Sequence, residues 1–177
     1  MNNYTQEKID TFFKVLGRYD HYINTANTKT TVLTSFLIAV IAGISLRLVL
    51  LLKEPKIAYY CDLLNPYVWS LATICLSLLA IIFAFIQLRP NTSSDANYQS
   101  MIFYGDVAKH EYSAFLAAVN KATPQNILDD LARQVHAVAE VTDNKFKYLK
   151  RVTTIIVWFV IPSLILTIFS FTLLKAS

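Results

Sequence analysis

The chain has 177 residues, enough for one domain and too few for two ordinary ones. Hydrophobic residues make up 55% and charged residues 16%, which argues against a soluble globule. The net charge is +4, and its distribution along the chain carries more information than its sum.

Residues 1–30 read as a cytoplasmic amphipathic helix. Asn3 and Gln6 form a capping-box start. Ile9, Phe12, Phe13, Leu16, Tyr19, Ile23 and Ala26 follow at spacings of three and four, laying one apolar stripe along a helix. No proline precedes Pro55, so this helix is expected to run straight into the apolar stretch 31–52. The alternative is a separate helix on the membrane surface.

The stretches 31–52, 67–88 and 152–174 are each about 22 residues, enough to cross a hydrocarbon core of roughly 30 Å. Arg47 is the one charge within them. The first stretch starts too late and runs too long for a signal peptide and should stay uncleaved. Between the first two lies a short loop, 53–66, opened by Lys53-Glu54-Pro55-Lys56. Tyr59, Tyr60, Tyr67 and Trp69 there read as an interfacial aromatic belt.

Arg89-Pro90-Asn91 closes the second span, and the polar residues 91–97 form a linker. Met101–Val107 is a short apolar run with a glycine, readable as a strand or a broken helix. Tyr112, Phe115, Leu116 and Val119 return to helical spacing. Thr123-Pro124 reads as an N-cap followed by proline at the first helical position. From there, Leu128, Leu131, Val135, Val138, Thr142, Lys145 and Leu149 form a heptad-like seam. One helix of about 50 residues is expected, continuing through the third span, with Pro162 kinking it inside the bilayer. The seam is the expected surface for self-association.

Residues 1–30 carry four Lys/Arg and residues 89–151 carry eight, whereas Arg47, Lys53, Lys56 and Lys175 are the only others. The positive-inside rule therefore puts the N-terminus and 89–151 in the cytoplasm, with 53–66 and the C-terminus in the periplasm. Segment 89–151 also holds seven acidic residues, so it is no polyanion-binding surface, and neither DNA nor RNA is expected as a partner.

No catalytic constellation is legible. There are three glycines, so no phosphate-cradling loop, and His136 with Glu140 on one helix face makes no metal site. Cys61 and Cys75 are a poor disulfide pair and receive no redox or metal role. No cofactor is expected. Lys145, Lys147, Lys150 and Arg151 beside the third span have two readings: anchors to anionic lipid, or, in part and together with Lys29, holders of a phosphate. The polar cluster 24–31 is either a plain interfacial helix segment or a pocket floor in which Asn27 reads a base or sugar edge.

Three motifs bear a resemblance. Tyr22-Ile23-x-x-Ala26-Asn27-x-Lys29 leads directly into a span, with Asn27 where an acid is usual and Thr30 where alanine is usual. Ile102-Phe103-Tyr104-Gly105-Asp106-Val107-Ala108 is followed by Tyr112. Asp130-Leu131-x-x-Gln134-Val135-x-x-Val138-Ala139 precedes Lys145-Phe146. In order, spacing and membrane topology the chain resembles the Pycsar effector transmembrane family.

The resemblance implies an all-α membrane protein of the bacterial inner membrane and an effector of anti-phage signalling. Such a protein is not an enzyme. It senses a cyclic pyrimidine mononucleotide, cyclic UMP or cyclic CMP, made by a partner cyclase, and impairs the membrane to abort infection. The alternatives are a CBASS-type membrane effector that senses a cyclic oligonucleotide, and an accessory membrane subunit without a ligand. Three spans are too few to enclose a pore, so a homo-oligomer is expected. A nucleotide site needs a cation, amide or hydroxyl partners and an aromatic or apolar wall. The residues expected to supply it are Asn27, Lys29, Phe103, Tyr104, Gly105, Asp106, Arg133, Gln134 and Lys145.

Overall fold

The computed structural model describes residues 3–51, 65–89 and 98–176, with side chains for 4–51, 65–89 and 98–173. Among them all regular structure is helical: α1 (Asn3–Leu51), α2 (Pro66–Leu88), α3 (Tyr104–Val107), α4 (Tyr112–Lys121), α5 (Pro124–Ile155), a π-helical turn (Ile156–Val160) and α6 (Ile161–Ala176). Three helices are long and apolar enough to cross a membrane: Tyr4–Leu51, Pro66–Leu88 and Pro124–Leu173. The expected aromatic belt at Tyr59 and Tyr60, the linker at 91–97 and Cys61 lie outside the described residues.

The amphipathic segment and the first span form one unbroken helix, as the absence of helix breakers predicts. The stripe is covered at Ile9 and Ala26, and the same spacing continues to buried Thr30, Leu37 and Ile44. Phe13 departs from the stripe and stands exposed. α2 starts where Asn65 accepts a hydrogen bond from the Tyr67 N–H at 2.9 Å, with Pro66 supplying the first helical residue.

α5 is likewise capped from both sides. Thr123 Oγ1 accepts from the Asn126 N–H at 3.2 Å, and Asn126 Oδ1 accepts from the Thr123 N–H at 3.1 Å. This is the reciprocal arrangement of a capping box, with asparagine in the third position.

Contacts divide the chain into two compact units, Met1–Thr25 with Pro90–Lys145, and Ala26–Arg89 with Phe146–Ser177. In the second unit Leu37, Ala80, Ala84, Val152, Ile156 and Val160 form the core. The α2 face turned inward is small and hydroxyl-rich: Ser70, Thr73, Ser77, Ala80 and Ala84 are buried, as are Ser163, Thr167 and Ser170 on α6. Small residues let helix backbones approach closely in lipid, where no hydrophobic force draws helices together. Thr73 Oγ1 and Thr167 Oγ1 bond across that approach at 3.0 Å.

Pro162 lacks an N–H, and its ring crowds the carbonyl four residues back. The helix accommodates it by a π-helical turn, in which the Ile161 N–H reaches the carbonyl of Ile156. The disturbance expected at this proline takes the form of a widened turn.

Of the two readings of Met101–Val107 the strand is absent: a hydrogen-bonded turn leads into the four-residue α3, a helix broken off from α4. Along the α5 seam Leu131, Thr142 and Leu149 are buried within the chain, and Leu128, Val135, Val138 and Lys145 are half-buried.

Candidate functional site

In the unit that contains Pro90–Lys145, the segment Tyr98–Asp106 lies against α5 and encloses a cleft of about 620 Å³. Ser100 holds the segment in shape. It is buried, and its Oγ accepts the backbone N–H groups of Ile102 at 3.1 Å and Phe103 at 2.8 Å. The Ser100 N–H donates to Asp106 Oδ2 at 3.2 Å, and Asp106 Oδ1 meets Lys109 Nζ at 3.3 Å. The turn holds because one hydroxyl and one carboxylate take up backbone donors that no helix satisfies.

α5 grips this turn at two points. Gln134 Nε2 donates to Ser100 Oγ at 3.1 Å. Asp130, fully buried, accepts the Met101 N–H at 2.8 Å through Oδ2. The residues Asp130, Leu131 and Gln134 thus act together: two clasp the turn while Leu131 fills the core beneath. The cleft's walls are Tyr98, Ser100, Phe103 and Asp106 on one side, and Asp129, Arg133, Gln134, His136 and Glu140 on the other.

Arg133 places its guanidinium 4.4 Å from the Tyr98 ring centroid, a cation–π contact that leaves its N–H fork available to an anion. Burial, and after it the negative charge of Asp130, push the Tyr98 hydroxyl above its ordinary pKa, against the opposing pull of Arg133. Tyr98 therefore stays a neutral donor at physiological pH. The Phe103 ring, tilted on Tyr104 at 4.9 Å, supplies the apolar wall. Asp129 is held by Gln125 Nε2 at 2.9 Å, and Glu140 lies 3.9 Å from His136 Nδ1. The cleft therefore offers one guanidinium, a neutral hydroxyl, an amide, an aromatic face and carboxylates able to accept from hydroxyl or amino groups.

Of the nine residues expected from sequence, Phe103, Asp106, Arg133 and Gln134 line this one cleft. Tyr104 and Gly105 belong to the same turn without lining it, and Tyr104 is 64% exposed. Gly105 serves its neighbour: a Cβ there would come within 2.6 Å of the Phe103 ring, so the space that glycine opens is taken by that ring. Lys145 lies five residues beyond Glu140 on α5 and does not line the cleft; partial burial lowers its pKa. Asn27 and Lys29 belong to the other unit and are not among the lining residues. Sequence reasoning missed Tyr98, Ser100, Asp129, His136 and Glu140. The last two share a helix face, a signal that was visible but pointed to no chemistry until the turn was placed opposite.

Two of the three resemblance motifs meet here, the run 102–108 and the run 130–139. No curated protein and no solved structure matches the chain. A family model described as the Pycsar effector protein domain matches residues 11–174. That match spans both units and nearly every described residue, and the chain belongs to the Pycsar effector family.

Proposed function

We propose that this membrane protein of anti-phage defence senses a cyclic pyrimidine mononucleotide, cyclic UMP or cyclic CMP, in the Tyr98–Asp106/α5 cleft and impairs the inner membrane in response. The observation that supports the reading most is the pairing of Arg133 with Tyr98 beside Gln134 and Phe103 in one cleft. A cyclic mononucleotide carries one phosphodiester charge, which matches one guanidinium. Its ribose hydroxyl and base N–H groups match the carboxylates and the amide, and its ring matches the aromatic wall. The cleft volume falls within the range of ordinary small-ligand sites.

A ligand acts only through different affinities for two arrangements. Here the clasp of Ser100, Asp130 and Gln134 is the element that ligand would tighten or release. α5 carries that clasp, and with the π-helical turn and α6 it forms one helix, Pro124–Leu173, long and apolar enough to span. Positive-inside counting supports a cytoplasmic cleft and N-terminus and a periplasmic C-terminus. Several copies associate to damage the membrane, and the half-buried part of the α5 seam, Leu128, Val135 and Val138, is available to join them. Lys29, Asn27 and Lys145 are secondary to the cleft in this reading.

The test is conditional toxicity. Cells carrying the protein alone are expected to grow normally, and to lose membrane potential when a cyclase supplies cyclic UMP or cyclic CMP. Equal growth and potential with and without the cyclase would overturn the reading. A response to a cyclic oligonucleotide alone would transfer it to the CBASS type.

A further inference from the structure

A second hollow lies between α1 and α6, wholly within the unit that holds the apolar core. It is a groove of about 320 Å³ lined by Ala39, Val40, Gly43, Ile44, Leu164, Thr167, Ile168 and Phe171, with Arg47 at one end. The lining is nearly all hydrocarbon, because both hydroxyls that reach it are engaged. Thr167 Oγ1 donates to the Ser163 carbonyl at 2.8 Å, and Thr172 Oγ1 to the Phe169 carbonyl at 2.7 Å. Gly43 forms the notch in the α1 wall: a Cβ built on it meets nothing within 4 Å.

Arg47 makes the groove more than an irregularity. It is the single charge in the three apolar stretches, and it stands about one turn before the end of α1 at Leu51. Its guanidinium lies 5.8 Å from the Phe171 ring centroid, a loose contact. Among the described residues no carboxylate lies within 4 Å of it. A guanidinium at the edge of a hydrocarbon layer is costly unless an anion meets it. No Asp or Glu occurs in 31–52, 67–88 or 152–174, so the spans of a second copy bring none. The anion found at that depth in any bilayer is the phosphodiester of a lipid headgroup, and what hangs from it is an acyl chain.

We propose that the α1/α6 groove is a binding site for one glycerophospholipid, its acyl chain lying along Gly43 and its phosphate held by Arg47. The lipid comes from the leaflet at the Leu51 end of α1. It acts as a wedge that sets the separation of α1 and α6. Its removal or exchange would change how those helices meet, independently of any nucleotide.

Native mass spectrometry of detergent-purified protein tests this, with phosphatidylglycerol and a diacylglycerol of identical chains as probes. The parent is expected to retain one phosphatidylglycerol per chain and to hold diacylglycerol about tenfold more weakly. Gly43→Leu fills the notch and should weaken both lipids about tenfold. Arg47→Gln should weaken phosphatidylglycerol alone, down to the diacylglycerol level. Circular dichroism checks that helicity is unchanged, and Arg47→Gln still reads the site if Gly43→Leu fails to fold. Equal retention by parent and both variants would overturn the proposal. So would a parent dimer that Gly43→Leu converts to monomer, which would give the groove to a second copy.

Discussion

Ser100 is the residue on which the cleft's shape depends most, and replacing it by alanine separates a built site from an accidental hollow. The substitution keeps nearly all the volume and removes one oxygen. That oxygen accepts three donors, the N–H groups of Ile102 and Phe103 and the amide of Gln134. Each such bond contributes about 0.5–1.5 kcal/mol net, because water takes up part of what is lost. Ile102 is partly exposed and recovers most of its share from solvent, whereas the Phe103 and Gln134 bonds are half-buried. A total near 2–3 kcal/mol follows, less than three isolated bonds because they share one acceptor. It falls on local opening of the turn rather than on the whole protein, since α5 keeps its own hydrogen bonds. Hydrogen exchange followed by mass spectrometry should then show the 100–106 segment exchanging about 30- to 150-fold faster in Ser100→Ala, with α2 and α6 unchanged. Exchange within about twofold of the parent would refute the clasp, and with it the idea that ligand acts by tightening this turn.

Leu131→Asp should lower the melting temperature by about 10 °C, because a carboxylate cannot replace a fully buried side chain without several kcal/mol of cost; unchanged melting with loss of assembled mass would assign Leu131 to contacts between copies instead. Tyr98 has a raised native pKa, so it contributes stability that is complete below pH 10 and is lost as pH rises through the native value. Tyr98→Phe should therefore flatten the fall of stability above pH 10, and parallel alkaline unfolding curves would contradict this. Alkaline phosphatase fused after Ser177 should be active, and fused after Asn120 inactive; the opposite pattern would reverse the orientation.

The three spans, the unbroken α1 and the start of α5 were legible because each rests on local chemistry. Apolar runs of membrane length, the absence of proline before Pro55, and Thr123-Pro124 before a periodic segment each have one structural outcome. The site was half legible. Phe103 and Asp106 were expected from the motif run 102–108, and Arg133 and Gln134 as the far wall of a site whose cations were expected to be Lys29 and Lys145. Ser100 was missed because its role depends on three donors that only the folded turn brings to one hydroxyl. Tyr98 was missed because its contact with Arg133 joins residues 35 apart. The α5 seam was legible as a stripe to be covered, but heptad spacing does not say whether the cover comes from the same chain or from another. Gly105 misled, since a glycine admits a close neighbour without saying which, and here it admits Phe103.

The central claim is that the cleft beside Arg133 binds a cyclic mononucleotide, and calorimetric titration of detergent-purified protein with cyclic UMP, cyclic CMP and a cyclic dinucleotide tests it most directly. The parent is expected to bind one of the two mononucleotides at one site per chain. Arg133→Ala should weaken that binding at least about tenfold, the worth of one charge-assisted contact to phosphate, while melting stays unchanged. Lys29→Ala and Lys145→Ala measured beside it report whether those lysines also touch ligand. Binding of equal affinity in the parent and Arg133→Ala would contradict the account, and so would heat on mixing only with the cyclic dinucleotide.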